Sequence, residues 1–260
     1  MMLRSKRIRQ TFAAVGVVAA AAVTVVGCSS SDDGGSGEKT VLNVYAAASL
    51  KKTFTELEKA YEAEHSDVDV KINFDGSSAL VNQIQQGADV DVLATADEAT
   101  MNKVTDKVNP PQIFARNTLV IVTAPGNPKH VTDFASLRNP DVTTVVCAVE
   151  VPCGAATAEV EKNTGVDITP KSQETSVTAV LTKVTSGQAD AGLVYVTDAK
   201  GAGDKVTTVV DPAFATVVNN YPIATLKASK HEQQAQEFVD LVLGSTGQKI
   251  LTDAGFAAAS

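Results

Sequence analysis

Four turns in this sequence place hydroxyl groups or free backbone N–H groups at the expected start of a helix. They are Ser49, Gly76-Ser77-Ser78, Cys153-Gly154-Ala155 and Ser176-Val177. The first turn of a helix has N–H groups without an intrahelical partner and the positive end of the helix dipole, so it suits an anion. None of the four turns contains Lys or Arg. If they converge, they predict a site that binds a fully deprotonated anion through neutral dipoles.

A simpler interpretation is that each turn only caps its own helix. Ser49 stands where an N-cap belongs, and helix caps of this kind are ordinary. Sequence spacing does not show whether the four turns meet.

The elements that would position these turns alternate along the chain. Residues 41–47 are a short apolar run that predicts a buried strand, and Leu50, Phe54, Leu57 and Tyr61 then recur at helical spacing. Further strands are expected at 68–74, 88–94, 118–123, 142–148, 191–195, 206–210 and 221–226. Further helices are expected from about 80 to 87, after Asp97, and at 131–137, 155–163, 176–186, 231–243 and 245–254. This alternation predicts an α/β fold with two lobes, in which ligands collect at the carboxyl ends of the strands.

Composition excludes several classes of function. The chain has 260 residues and is 44% hydrophobic, but aromatic residues make up only 5% and Trp is absent. The formal charge is −8, and no basic cluster lies beyond the first ten residues. Nucleic acid is therefore not an expected partner.

The N-terminus predicts export and anchoring. Residues 1–27 combine a basic start with an apolar run at 12–26, as in a signal peptide, and Val25-Val26-Gly27-Cys28 resembles a bacterial lipobox. We expect cleavage before Cys28, lipidation of Cys28 and a flexible tether at 28–40. The mature protein would then be anchored by lipid to the extracytoplasmic face of the cell membrane. A transmembrane anchor is the alternative, although the apolar run is shorter than the roughly 20 residues that a span needs.

Cys147 and Cys153 remain as one potential pair. In an exported protein a disulfide that fixes the shape of this loop is the favoured interpretation. Metal binding is the weaker one, because no His or second cysteine pair flanks them.

Five segments resemble the bacterial periplasmic molybdate-binding proteins, the substrate-binding components of molybdate ABC importers. The segments are VYAAASL at 44–50, FDGSS at 74–78, ADVDVLATAD at 88–97, ARNTLVIV at 115–122 and ADAGLVYVTDA at 189–199. The resemblance extends from about residue 40 to 256.

The resemblance implies a type II periplasmic-binding-protein fold with the ligand in a cleft between the lobes. Lobe one would comprise 41–121 plus 222–260, and lobe two 122–221. The molybdate oxyanion would be held by the hydroxyl and N–H groups of Ser49 and Ser77, the backbone N–H groups of Cys153 and Val177, and the Tyr195 hydroxyl. Cys153 stands where family members commonly carry Ala, and a backbone contact survives that change. The resemblance also implies a permease partner, a monomer, no enzyme activity, and no cofactor beyond the ligand, molybdate or tungstate.

Asp75 precedes one of these turns and would repel a buried dianion. We therefore expect its carboxylate to point away from the cleft.

Selectivity is expected to follow charge and size. Phosphate keeps a proton near neutral pH, and a site made only of donors leaves that proton unmatched. Sulfate is smaller than molybdate and would make overlong hydrogen bonds, whereas tungstate is nearly identical in size and charge.

Other functions are weighed against this one. A sulfate or general oxyanion carrier is the nearest alternative, and an Fe³⁺ carrier would need clustered tyrosines and carboxylates. A secreted hydrolase is disfavoured, because Ser77 lacks the second glycine of a nucleophile elbow and His65, His130 and His231 lie in polar surroundings. A purely structural lipoprotein would show no response to any ligand.

Overall fold

The computed structural model describes residues 39–259, which form two α/β lobes with one five-stranded mixed sheet each. The predicted signal peptide at 1–27, Cys28 and the predicted tether up to residue 38 lie outside the described residues. Among residues 39–259, no helix is both long and apolar enough to span a bilayer.

Lobe one is built on a sheet with the strand order β2-β1-β3-β10-β4. Its strands are β1 (Thr40–Ala47), β2 (Val68–Asp75), β3 (Val92–Ala94), β4 (Gln112–Asn117) and β10 (Asn219–Thr225). Its helices are α1 (Lys51–Glu64), α2 (Ser77–Gln85), α3 (Glu98–Met101), α7 (Glu232–Leu243) and α8 (Ser245–Ala254).

Lobe two is built on a sheet with the equivalent order β7-β6-β8-β5-β9. Its strands are β5 (Leu119–Thr123), β6 (Thr144–Cys147), β7 (Ser172–Glu174), β8 (Ala191–Tyr195) and β9 (Thr207–Val209). Its helices are α4 (Pro152–Thr164), α5 (Val177–Thr185) and α6 (Val196–Ala202).

The pairing of strands decides where the turns lie. In lobe one β1 pairs in parallel with β2 and β3, and in lobe two β6 pairs in parallel with β7 and β8. Parallel strands end at one edge of their sheet, so the helices that follow them begin at that edge. The starts of α1 and α2 therefore lie together in lobe one, and those of α4, α5 and α6 lie together in lobe two.

The aromatic side chains concentrate in the core of lobe one. Phe54 of α1 is fully buried, and its ring centroid lies 5.8 Å from that of Phe114 and 6.1 Å from that of Phe238. Burial of a side chain of this size stabilises the fold by roughly 1.5–3 kcal/mol. These contacts hold α1, and the turn before it, against the sheet.

The chain passes from lobe one to lobe two at Thr118, the single residue between β4 and β5, and returns between β9 and β10. The expected boundaries at 121/122 and 221/222 therefore cut through β5 and β10. The crossing at Thr118 has no Gly or Pro to mark it in the sequence, which is why the expected boundary lies a few residues away.

Other local elements differ from the expectation. The helix expected at 131–137 is only a 3-10 turn at Ala135–Arg138. The strand β7 was not predicted, because its sequence, Ser-Gln-Glu, has no apolar residue. The helix α6 was also not predicted, because it follows β8 directly without a turn residue between them.

Candidate functional site

A small cavity lies between the lobes, where the helix starts of both lobes meet. Its free volume is about 10 Å³, on the order of the space that one water-sized sphere occupies. The described residues that line it are all uncharged: Ala47, Ala48, Ser49, Gly76, Ser77, Ala96, Val151, Pro152, Cys153, Val177 and Tyr195. All five residues expected to contact the ligand are among them.

Lobe one contributes two buried serines. Ser77 is the first residue of α2, and its Oγ accepts a hydrogen bond from the Ala96 N–H at 3.0 Å. Ser49 Oγ lies 3.0 Å from the Tyr221 hydroxyl, and either oxygen can donate. Each serine hydroxyl therefore has one protein partner and further hydrogen-bonding capacity toward the cavity.

The prediction that Ser49 is an N-cap was wrong. Ser49 lies inside a 3-10 turn at Ala48–Leu50 that leads directly into α1, and its side chain makes no capping hydrogen bond. The helical backbone begins at Ala48, before Ser49, so the Ser49 side chain is not in a capping position. Its hydroxyl contacts Tyr221 of lobe one instead.

Lobe two contributes backbone donors at two helix starts. Val177 is the first residue of α5, where Ser176 caps the helix by accepting from the Ala179 N–H at 3.3 Å. Cys153 is the second residue of α4, after Pro152. The N–H groups of both residues fall in a first turn, where the helix supplies no acceptor.

Two features fix the first turn of α4. The predicted disulfide is present and joins Cys147, the last residue of β6, to Cys153. A Cβ atom at Gly154 would lie 1.9 Å from the carbonyl oxygen of Ala148, so only glycine allows this approach. The Cys153 N–H is thus tied to the end of β6 by a covalent bond and by close packing.

Tyr195 supplies the fifth group, from the last residue of β8. The residue is 1% exposed, and its hydroxyl has no hydrogen-bond partner among the described residues. A buried polar group without a partner is rare and costly. Burial raises the pKa of the Tyr195 hydroxyl, so at neutral pH it keeps its proton and can donate to a ligand.

Two acidic residues adjacent in sequence to site residues or hydrogen-bonded to them lie outside the cavity lining. Asp75 does not line the cavity, and its Oδ1 accepts from the Gly76 N–H at 2.7 Å. Asp198, in the first turn of α6, accepts from the Tyr195 N–H at 3.0 Å, and burial raises the pKa of its carboxyl to about 7. The interior of the cavity therefore presents dipoles without formal charge.

Tyr221 is a functional candidate that the sequence analysis did not assign to the site. It is fully buried in β10, behind Ser49. Within an apolar strand it has the pattern of an ordinary core aromatic residue, and no local signal indicates the contact with Ser49.

The lobes touch at the rim of the cavity. Ser78 Oγ of lobe one donates to the Glu150 carbonyl oxygen of lobe two. A Cβ atom at Gly76 would lie 2.1 Å from the Thr175 carbonyl oxygen. The structure thus has the lobes closed over the cavity.

No histidine lines this cavity. His65 stacks on Tyr61 with 4.1 Å between the ring centroids, and His231 Nδ1 lies 3.4 Å from Asp91. Over residues 39–259, no three His, Cys, Asp or Glu residues form a group that could hold a metal ion. Ser77 has no imidazole partner, so the hydroxyl is placed to donate a hydrogen bond and has no base to activate it.

Comparison with known proteins shows the family of this chain. The family model described as "Bacterial extracellular solute-binding protein" matches residues 42–257. The molybdate-binding protein ModA of Mycobacterium bovis is 48% identical over 217 residues, which are 82% of this chain and 83% of the relative.

Two solved structures share the fold. The periplasmic molybdate-binding protein of Azotobacter vinelandii matches with a TM-score of 0.74 and 21% identity, over 84% of this chain and 100% of that one. The sulfate-binding protein SubI of Mycobacterium tuberculosis matches with a TM-score of 0.74 and 18% identity, over 85% of this chain and 88% of that one. These two matches show the type II periplasmic-binding-protein fold and do not separate one oxyanion from another. By the family model and by the mycobacterial relative, the chain belongs to the bacterial extracellular solute-binding protein family.

Proposed function

We propose that this protein captures molybdate, and also tungstate, and delivers it to the permease of an ABC importer. The observation that carries the proposal is the convergence of Ser49, Ser77, Cys153, Val177 and Tyr195 on one closed, uncharged cavity. The 48% identity to a molybdate-binding protein favours molybdate among the oxyanions. The protein acts as a monomer, is anchored by lipid at Cys28 on the extracytoplasmic face of the membrane, and has no enzyme activity.

The proposed chemistry is binding by neutral donors. Hydroxyl and backbone N–H groups aimed at one point form charge-assisted hydrogen bonds with a dianion, and these are roughly twice as strong as bonds between neutral groups. The donors come from both lobes, so the ligand links the lobes and separation of the lobes releases it. No lysine or arginine lines the cavity, so no ion pair has to be broken when the ligand leaves.

The alternatives receive less support. A hydrolase would need a base beside its nucleophile, and none of the described residues lining the cavity is one. A sulfate-binding protein shares the fold, so the fold does not distinguish a sulfate carrier from a molybdate carrier. An experiment has to make this distinction.

Thermal unfolding of the purified protein tests the proposal. A ligand that binds only the folded state should add about 2.7 kcal/mol to the free energy of unfolding when present at 100 times its Kd. We expect this gain with molybdate and tungstate, and none with sulfate or phosphate. A gain with sulfate as well would make the protein a general oxyanion carrier, and no gain with any anion would refute the proposal.

Tyr195→Phe tests the site itself. The variant keeps the ring and removes the unpartnered hydroxyl, and we expect molybdate affinity to fall at least tenfold, as for the loss of a hydrogen bond to a charged group. Tyr61→Phe is the matched control, because the Tyr61 hydroxyl donates to the Gln234 carbonyl oxygen outside the cavity. Equal affinities in the two variants would exclude Tyr195 from the site.

A further inference from the structure

We propose that a groove at the hinge between the lobes binds a small organic carboxylate with an apolar group, and that this ligand strengthens the binding of molybdate. The groove, called here the hinge groove, has a volume of about 520 Å³ and shares no lining residue with the oxyanion cavity. The carboxylate site goes beyond the proposed function, and only its effect on molybdate rests on that function.

The hinge groove lies against both chain crossings between the lobes. Its wall includes Arg116, Thr118, Val196, Val218, Asn220 and Gly255. Thr118 is the first crossing, and Val218 lies in the second, between the 3-10 turn at Pro212–Thr216 and β10. Val196 is the first residue of α6 in lobe two, and its N–H donates to the Thr118 carbonyl oxygen at 3.0 Å. A ligand in the groove therefore contacts both lobes at their joint.

Arg116 supplies the charge that an anionic ligand needs. It belongs to β4 and lines the groove. Among residues 39–259 its side chain forms no ion pair, and its buried Nε atom has no hydrogen-bond partner. A buried polar atom without a partner is rare and costly in a native structure. A carboxylate matches the planar fork of a guanidinium through two parallel hydrogen bonds, and would give Arg116 its missing acceptor.

The charges around the groove favour an anion, although the chain as a whole is negative. None of the described residues that line the groove is acidic. The Lys200 ammonium donates to the Asp253 carbonyl oxygen at 2.8 Å, and a Cβ atom at Gly255 would lie 3.8 Å from it, so this cation is beside the groove. The Glu98 carboxylate accepts from Asn220 Nδ2 at 2.8 Å, but Glu98 is exposed and solvent screens its charge.

The apolar part of the wall narrows the class of ligand. Val196 and Val218 line the groove with aliphatic side chains, and Val218 is 50% exposed. A concave site of several hundred Å³ with apolar walls and a few polar groups is typical of sites for small organic molecules. A bare inorganic anion would leave both valines without a contact, so the expected ligand joins a carboxylate to a hydrocarbon or aromatic group.

The coupling to molybdate follows from the closed arrangement of the lobes. The groove is present while Ser78 contacts Glu150 and Gly76 approaches Thr175 across the rim of the cavity. Separation of the lobes bends the chain at its crossings, and these crossings form the wall of the groove. A carboxylate that fits the closed arrangement therefore stabilises it. Because coupling between two ligands is reciprocal, each should tighten the binding of the other by the same factor.

The site is tested by ligand-detected NMR on the purified protein, with benzoate as the probe and neutral benzamide as its uncharged counterpart. We expect saturable binding of benzoate by the wild type and at least tenfold weaker binding of benzamide. Arg116→Gln should lose at least tenfold in benzoate affinity, as for the loss of hydrogen bonds to a charged group. Arg138→Gln is the matched control, because Arg138 is exposed and lies outside the groove, so this variant should match the wild type.

A second variant tests the groove without changing Arg116. Val218→Asp places a negative charge on the apolar wall and should abolish benzoate binding. Val210→Asp is its control, since Val210 is 72% exposed and does not line the groove. Both valines are exposed, so neither variant buries a charge.

Calorimetric titration of molybdate, with and without saturating benzoate, tests the coupling. We expect benzoate to tighten molybdate binding at least about fivefold in the wild type and in Arg138→Gln. Arg116→Gln should show no such gain, and benzamide should have no effect on any of the proteins.

The outcomes separate the inference from the proposed function. Absence of saturable benzoate binding, equal binding of benzamide, or equal benzoate affinity in Arg116→Gln would each overturn the carboxylate site. Benzoate that leaves molybdate affinity unchanged, or weakens it, would overturn the coupling. A protein that binds benzoate through Arg116 but does not bind molybdate would refute the proposed function and leave the carboxylate site supported.

Discussion

At the scale of single residues, the site works by excluding charge and orienting dipoles. The Ser77 hydroxyl accepts from the Ala96 N–H, which leaves its own proton for the cavity. The Asp75 carboxylate, only one residue from this turn, is engaged by the Gly76 N–H. An acid can therefore sit next to an anion site in sequence without facing it.

Asp75→Ala should leave molybdate affinity nearly unaltered. The carboxylate does not line the cavity, so its removal changes no contact with the ligand. Calorimetric titration of Asp75→Ala checks this, with Asp106→Ala as a control for the loss of one negative charge elsewhere on lobe one. A large gain or loss of affinity confined to Asp75→Ala would show that the carboxylate faces the ligand.

At the scale of elements, the starts of the helices are shaped by what lies opposite them. Gly76 precedes α2, with φ −56° and ψ 134°, a conformation that any residue can adopt. The glycine is required by space, because the Thr175 carbonyl oxygen of lobe two occupies the position of a side chain. Gly154 has the same function at α4, opposite Ala148.

Gly76→Ala should hinder closure of the lobes without harming the fold. The new Cβ would lie 2.1 Å from the Thr175 oxygen in the closed arrangement, so the lobes would have to stay further apart. We expect molybdate affinity to fall at least tenfold, while the melting temperature without ligand stays the same or rises slightly, since Gly→Ala reduces the entropy of the unfolded chain.

The control for this variant is Gly201→Ala, where a Cβ meets no atom within 4 Å. Titration and thermal unfolding of both variants give the comparison. A Gly76→Ala protein that binds molybdate like the wild type would show that the contact with Thr175 is not needed for binding.

At the scale of the whole molecule, the chain has a net negative charge, whereas lysines lie beside the site. The formal charge is −8, which opposes the approach of a dianion. A groove of about 350 Å³ between the lobes shares Ala48 and Ser49 with the cavity and is also lined by Lys51, Lys52 and Lys205. Within residues 39–259 these three lysines form no ion pair, so their charges are available to attract an anion toward the site.

Replacing Lys51, Lys52 and Lys205 together by Gln should slow the association of molybdate. We expect the association rate constant to fall about tenfold at low ionic strength and the difference to vanish at high salt, with little change in the dissociation rate. Stopped-flow measurement of tyrosine fluorescence can follow the reaction, because the chain contains no Trp and Tyr195 lines the cavity.

The control for the lysine variant loses the same charge, but at the strand ends that lie away from the cavity. Lys39 and Lys171 each precede a strand, β1 and β7, and Lys230 follows β10, which runs antiparallel to β3. Their joint replacement by Gln should leave the association rate near that of the wild type. Equal slowing in both triple variants would assign the effect to net charge alone.

The sequence by itself determined the alternation of strands and helices and the place of the neutral turns. The apolar run at 41–47 and the helical spacing of Leu50, Phe54, Leu57 and Tyr61 indicate β1 and α1, because these patterns arise between near neighbours in the chain. The helices at 232–243 and 245–254 were predicted to within one residue for the same reason.

Only the tertiary structure decided which of these turns meet and which residues their hydroxyls contact. Ser49 was predicted as a helix cap, yet its partner is Tyr221, 172 residues away in the chain. The glycine at 76 was predicted as part of a turn, yet the atom that requires it belongs to the other lobe. The physical reason is that local patterns are set by contacts along one helix or strand, whereas the partners of a hydroxyl and the space around a Cβ atom are set by packing between distant segments.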